Sequence, residues 1–413
     1  MERTARRLAA LAGTFVAGAL VAGSLAAVPA SFAEEAEGEG AALAAQILEE
    51  AQIVPAEDWA ETYPNEYASL LENADNDEIV SYLEEYPYLS TIYNGIGFAK
   101  DYGSARGHTY TLEDVAATER PHPYANCLSC KTPAMNVLIA SGNDAVYTLD
   151  FQDVLDLSDE AVSCYTCHEN TGDELVVTNT FLTEALGDDA DEVDAANLVC
   201  GQCHDEYYFA GDAKATTLPY TSLDTMNPDD ILAYYDELDF VDFTNPDTGV
   251  GLIKVQHPEF ETYLGEGSVM AALGYTCADC HMGTATADDG TEYANHNLTS
   301  PLDNEELIES NCSNCHTDIV AEVAEIQEEA EARTNEIGYK LQDLTDQLAE
   351  AVANETIDDE TYAAVAELNR DAQFYWDFVF VENSEGAHNS ALTNDCLDKA
   401  DDLVDQALEL LAE

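Results

Sequence analysis

The 413-residue chain carries 84 acidic residues against 13 basic ones, a formal net charge of −71. A chain of that sign repels phosphate backbones, which excludes nucleic-acid binding as its main task, and any small anion would need a local positive pocket to bind. Disorder, the other common fate of acidic chains, is opposed by 46% hydrophobic residues and 22 tyrosines, enough apolar surface for a packed core.

Residues 1–33 read as a signal peptide. Arg3, Arg6 and Arg7 form a basic start, an Ala/Gly/Val-rich run follows from Leu8 to about Val28, and Ser31-Phe32-Ala33 offers small residues for cleavage after Ala33. The apolar run is long enough that a retained membrane anchor is the alternative. Either way the folded part is exported, to the periplasm or the cell surface, and no later stretch is apolar enough to span a bilayer. Residues 34–44 read as an acidic linker, and the stretch from about Ala41 to Ala99 as helical and tyrosine-rich.

Cysteine dominates the segment from 45 to 316. Four pairs have the form C-x-x-C-H: Cys164, Cys167, His168; Cys200, Cys203, His204; Cys277, Cys280, His281; and Cys312, Cys315, His316. A fifth, Cys127, Cys130, Lys131, ends in lysine. C-x-x-C-H is the attachment signature of c-type haem: two thiols form thioethers with the porphyrin, and the adjoining imidazole becomes the proximal iron ligand. Zinc ribbons have no reason to place histidine after every pair, and iron–sulfur clusters want three or four cysteines close together. Only Cys396 lies outside the motifs, and it reads as a buried structural residue. With porphyrins as its core, this region should be turn-rich, and hydrophobic periodicity says little about it.

Beyond the last motif, residues 317–413 change character. Val323, Ile326, Ala330, Ile337, Leu341, Leu344 and Leu348 recur three or four apart, which predicts one long amphipathic helix from Thr317 to about Val352. Further helices are predicted from about Asp359 to Phe380 and from about Asn394 to Leu411. The length of the first predicts a dimer interface. The fold class is therefore mainly α, a multihaem cytochrome c with a haem-packed core and long C-terminal helices.

Lysine in place of histidine matters if the far side of its iron is open, because an iron held on one side can bind substrate while an iron held on both sides only conducts. Cations are scarce here, and four of the ten beyond the signal segment, Arg106, Arg120, Lys131 and Lys254, lie in or near the motifs.

From Arg106 to His388 the chain resembles the cytochrome c nitrite reductases, pentahaem ammonia-forming enzymes. CLSCK resembles that family's catalytic haem motif, followed there by four CxxCH sites, as here. RGHTYTLEDV resembles the segment carrying a distal haem ligand, His108, and the following Arg120 resembles the pocket arginine. CHDEYYF resembles the stretch in which Glu206 and Tyr207 bind calcium and Tyr207 also faces substrate. KVQHPEFE resembles the segment in which Lys254, through its carbonyl, and Gln256 bind calcium and His257 enters the pocket. His388, in YWDFVFVENSEGAHN, and His296 fall on two further distal ligands. The family's histidine seven residues before the fourth haem motif, here the one starting at Cys277, is replaced by Met270. Ligation of the His316 haem by Met270 is expected, with His122 or an open second iron as the alternatives.

The resemblance implies five c-type haems and one calcium ion. It implies six-electron reduction of nitrite to ammonium, with Lys131, Arg120, Tyr207 and His257 catalytic, and a membrane-associated electron-donor cytochrome or quinol dehydrogenase as partner to a homodimer. A non-catalytic electron-transfer cytochrome, or a reductase of hydroxylamine or sulfite, is the alternative.

Overall fold

A computed structural model describes residues 30–412. The chain is mostly helical, with three small antiparallel hairpins: Tyr208–Ala210 with Ala215–Thr217, Phe243–Thr244 with Gly251–Leu252, and Thr284–Thr286 with Glu292–Ala294. Most of the signal-peptide reading falls outside the described residues. Helix Ala30–Ala51 runs through the stretch read as an acidic linker. No described helix is long and apolar enough to cross a membrane.

Three long helices, Ile319–Ala353, Asp359–Phe380 and Ser390–Ala412, close the chain. Their sequence-read boundaries agree to within a few residues because caps and periodicity mark them. Asp318 accepts a hydrogen bond from the Ala321 amide at the start of the first, and Asp358 accepts from Glu360 and Thr361 at the start of the second. Ala330, Ile337, Leu341, Leu344 and Leu348 form a buried stripe along the first. Leu397, Ala400, Val404 and Ala407 are fully buried on the last, so both present continuous apolar faces. Arg333 to Asp398 and Lys340 to Asp401 and Asp405 clip the solvent edges of this bundle. Pairs so exposed contribute about 0–1 kcal/mol each.

Aromatic residues bind the N-terminal quarter to this bundle. Tyr88 is fully buried against the long helix at Gly338, where an added Cβ would lie 2.7 Å from the Tyr88 ring, so only glycine admits the approach. Its hydroxyl donates to Asn335 Oδ1 at 2.9 Å. Trp376 on the middle helix stacks on Phe380 and donates from its indole nitrogen to the Thr334 carbonyl.

The middle of the chain is made of short turns of helix, and the motifs are among them. Cys164–His168 and Cys277–His281 are each a single turn, which brings two thiols three residues apart onto one side with the histidine beside them. Thr276 caps the second turn by accepting from the Asp279 amide, while the Asp279 carboxylate accepts from the Thr276 amide at 2.7 Å. Helix Ala195–Gly201 leads into the Cys200–Cys203 pair, and single 3₁₀ turns carry the first and last pairs.

Candidate active site and haem-binding positions

None of the eleven cysteines is in a disulfide, Cys396 is buried, and the ten motif cysteines are half-buried apart from the exposed Cys315. Three motif histidines each face a second imidazole. His168 stands 6.3 Å from His296, His204 stands 6.1 Å from both His108 and His257, and His281 stands 6.1 Å from His388, centre to centre. Two imidazoles on opposite sides of one iron, each nitrogen about 2 Å from it, have centres roughly 6 Å apart. A cavity of ≈ 490 Å³ lies against His168 and His296, lined also by Leu175, Ala278 and Leu307. The residues therefore fit haem. Burial pushes His108 down to about 3, which keeps the imidazole neutral as an iron ligand must be.

The motifs form a sequence in space. The Cys203 thiol pushes Cys130 well above its usual range, helped by burial, and Cys200 does the same to Cys277. Cys280 is raised to about 11 by burial and then by Cys312. The motifs ending in Lys131, His204, His281 and His316 are thus successive neighbours. The His168 turn lies to one side: Gln202, between Cys200 and Cys203, donates to the Thr166 carbonyl within it at 2.9 Å.

Around the lysine motif, Thr111 Oγ1 donates to the Lys131 carbonyl at 2.8 Å, and Thr132 caps the helix Pro133–Ala140 that follows. Arg120 and Lys131 both act on the Cys127 thiol, lowering a pKa that burial raises. Tyr207 is held well above its usual pKa by burial and then by Cys130 and Cys127, so its hydroxyl remains a donor. His257 is lowered by burial, raised by Glu259, and lowered further by Lys131 and His204. Arg120, Tyr207 and His257 therefore all lie near the CLSCK motif. Arg120 stacks over Phe98 at 4.4 Å, whereas Arg106 lies over Tyr110 at 3.8 Å and is neutralised by Asp114 and Glu113, a structural role. His122 packs edge-on against Phe151 and donates from Nδ1 to the Arg120 carbonyl.

Glu206 is fully buried, and burial raises its carboxyl well above the usual range. It accepts from the Gln256 amide at 2.6 Å and from Tyr235 at 2.8 Å, and the Gln256 side chain reaches the Lys254 carbonyl at 2.8 Å. The Glu206 carboxylate and the Lys254 carbonyl thus both bond Gln256, through its backbone amide and its side-chain nitrogen, and the oxygens of these three residues are a donor set that suits calcium. Among the described residues no group of three or more His, Cys, Asp or Glu side chains could hold a metal, so neutral oxygens would complete the shell.

Several partners here were invisible from sequence. The Lys254 ammonium, buried, bonds Asp377 at 3.1 and 3.3 Å, and Asp377 also accepts from the Val255 amide at 3.0 Å. Glu259 lies 3.8 Å from His204 Nδ1 and 3.9 Å from His257 Nδ1. Asp205 is fully buried with both carboxylate oxygens unpartnered. Glu259 and Asp205 stand one or two residues from recognised motif positions, which was the available signal; Asp377 lies within the quoted YWDFVFVENSEGAHN segment, but nothing local ties it to Lys254, 123 residues away. Met270 sits half-buried in the turn Val269–Ala272, whose carbonyl is reached by the Tyr275 amide, while Tyr275 bonds Asn311 beside the last motif.

Among the described residues, Arg106, Lys254, Arg333, Lys340, Arg370 and Lys399 are each paired with a carboxylate. Arg120 and Lys131 form no such pair, and neither do Lys100 and Lys214, in a chain where acids outnumber bases more than six to one.

Paired imidazoles over C-x-x-C-H turns, arranged as successive neighbours around one lysine-terminated motif, define a multihaem c-type cytochrome with one chemically distinct centre. The family model for cytochrome c552 matches residues 55–413. The cytochrome c nitrite reductase subunit NrfA of Nitratidesulfovibrio vulgaris Hildenborough is 32% identical over 85% of this chain and 74% of its own length. Cytochrome c-552 of Bacteroides fragilis is 31% identical over 80% of this chain and 71% of its own. The solved cytochrome c nitrite reductase of Desulfovibrio desulfuricans ATCC 27774, a protein with two calcium sites, superposes with a TM-score of 0.76 at 27% identity, covering 86% of this chain and 85% of that one. The chain belongs to the cytochrome c nitrite reductase family of multihaem oxidoreductases.

Proposed function

We propose that this protein reduces nitrite to ammonium with six electrons at the lysine-terminated motif, as one of five c-type haem positions. What supports the reading is the convergence of Arg120, Tyr207 and His257 on CLSCK, while three of the four histidine motifs face a second imidazole instead. Haem bound there would supply a redox-active iron, and Lys131 would help hold it, giving up its proton to do so. Arg120 and protonated His257 donate hydrogen bonds to the nitrite oxygens and offset its charge. The reaction consumes eight protons. Glu259 works against the burial of His257, keeping an imidazole that can take up and pass on protons in the pocket. Tyr207, retained as a hydroxyl, donates to late intermediates or relays a proton.

Calcium at Glu206, Tyr207, Lys254 and Gln256 would keep the Glu206 carboxylate ionised and fix the Lys254–His257 segment. His108, His296 and His388 are the distal partners of His204, His168 and His281, and Met270 is that of His316. Export past the cytoplasmic membrane, a membrane-associated electron donor and dimerisation through the long helix belong to the same reading.

The test is ammonium formation from nitrite with a reduced viologen dye. Losing Arg120 or His257 should lower kcat by roughly 10²–10³-fold, as for other donors aimed at developing charge. Wild-type turnover in a folded, haem-complete His257→Ala protein would remove that residue from the reaction. A fully loaded wild-type protein that turns over neither nitrite nor hydroxylamine would assign the chain to electron transfer alone.

A further inference from the structure

The second nitrogens of the ligand histidines have different partners. His168 bonds the Glu174 carbonyl at 3.0 Å, His281 the Thr299 carbonyl at 3.0 Å and His296 the Ala294 carbonyl at 2.8 Å. His204 Nδ1 faces the buried Glu259 at 3.8 Å, beyond hydrogen-bond distance, whereas His388 bonds a carboxylate, Glu382 Oε1, at 2.7 Å. His316 also meets a carboxylate, Glu322 at 2.7 Å, but that side chain is 48% exposed and screened by solvent, whereas Glu382 is 3% exposed.

Glu382 is also braced. Its other oxygen accepts from Ser384 Oγ at 2.6 Å, and Ser384 Oγ in turn accepts from the His388 amide at 2.9 Å. The short loop after helix Asp359–Phe380 thus closes on itself, turning through Gly386 at φ 89°, and sets one carboxylate behind one imidazole.

We propose that Glu382 is a positioning residue that holds His388 in a fixed ring orientation and makes the His281/His388 haem a low-potential relay. The inference rests on the reading that His281 and His388 ligate one haem. A buried carboxylate pulling on the Nδ1 proton strengthens the imidazole as a donor and adds negative charge beside the iron. Both effects favour the ferric over the ferrous state, more than a neutral carbonyl does, and so lower the reduction potential. This motif lies between those of His316 and His204. An electron arriving from the His316 side is therefore released readily toward His204 and the lysine centre.

Glu382→Gln keeps an acceptor and a hydrogen-bonding brace but removes the charge. In a spectroelectrochemical titration of the haem-loaded protein, the midpoint of one low-spin haem should shift upward while the others stay in place. Ser384→Ala, which removes the brace and keeps the charge, should leave that midpoint near the wild-type value. His388→Ala should convert one low-spin haem to high spin in the electron paramagnetic resonance spectrum. If His388→Ala changes the spin state but Glu382→Gln moves no midpoint, the carboxylate has no tuning role and the ligand reading stands. If Ser384→Ala shifts the midpoint as far as Glu382→Gln, the loop's shape and not its charge is responsible, and the inference fails. If His388→Ala leaves every haem low-spin, the ligand reading falls and the inference with it.

Discussion

Replacing Asp377 with asparagine should destabilise the protein by about 3–5 kcal/mol, the cost of breaking a buried ion pair from one side. Asp377 is fully buried and Lys254 is 2% exposed, so no solvent can compensate the stranded ammonium. Beyond Asp377, Lys254 Nζ bonds the Val255 carbonyl at 2.7 Å, lies 4.9 to 5.7 Å from the faces of Tyr93, Phe98 and Tyr102, and feels the more distant Glu206 and Asp242 carboxylates. Guanidinium unfolding can be followed by the fluorescence of Trp376, next to Asp377, as haem quenching is relieved. With a slope of about 5 kcal/mol/M, the midpoint should fall by somewhat under 1 M. Adding Lys254→Met should recover more than half of the loss, because the charge that lacked a partner is gone. Burial already lowers the Lys254 pKa against the pull of Asp377, and without the full carboxylate it falls further. Between that folded value and about 10.4 the unfolded chain binds more protons, so the Asp377→Asn protein should regain stability as pH rises through this window. Additive losses in the double variant, or an unchanged midpoint in Asp377→Asn, would refute the account of this pair.

Lys131→His should retain haem and alter turnover, and intact wild-type kinetics in that variant would deny lysine any special role. Stripping calcium with a chelator should lower nitrite turnover and calcium should restore it; a chelated enzyme of full activity would count against the Glu206 site. Met270→Ala should abolish a long-wavelength absorption band of ferric His/Met haem, and its absence from the wild-type spectrum would remove Met270 as a ligand. Burial raises Glu261 to about 8, and burial with the charges of Asp236 and Glu367 raises Asp371 to about 6. In both, the folded state holds the proton longer, so stability should fall as pH rises from about 4 to about 8; a denaturation midpoint that climbs over that range would contradict it.

The motifs and the C-terminal helices were legible because both are local. Two thiols and a histidine fit within one helical turn, and the buried stripe from Ala330 to Leu348 repeats at the helical period. That His108 is a distal ligand came from resemblance, and its approach to His204, nearly a hundred residues away, is visible only in the structure, since no periodicity encodes it. The stretch read as a linker is helical from Ala30 to Ala51, because acidic and small residues suit a solvated helix as well as a loop. Asp377, Glu382 and Glu259 were missed for one reason. In a chain with 84 acidic residues, a carboxylate that matters looks like every other until its burial is known.

The notch at Gly338 ties residue 88 to the long helix, and every haem-attachment cysteine lies between the two. Seating Tyr88 there encloses a loop of roughly 250 residues, whose closure costs about 5 kcal/mol of chain entropy. The three C-terminal helices pack largely on each other and can assemble before that happens; the enclosed middle cannot, since its turns are short and its interior is built around porphyrin. Maturation therefore has to proceed on a chain that is still open. A molecule lacking a haem should carry an intact C-terminal bundle joined to a loose, protease-sensitive centre.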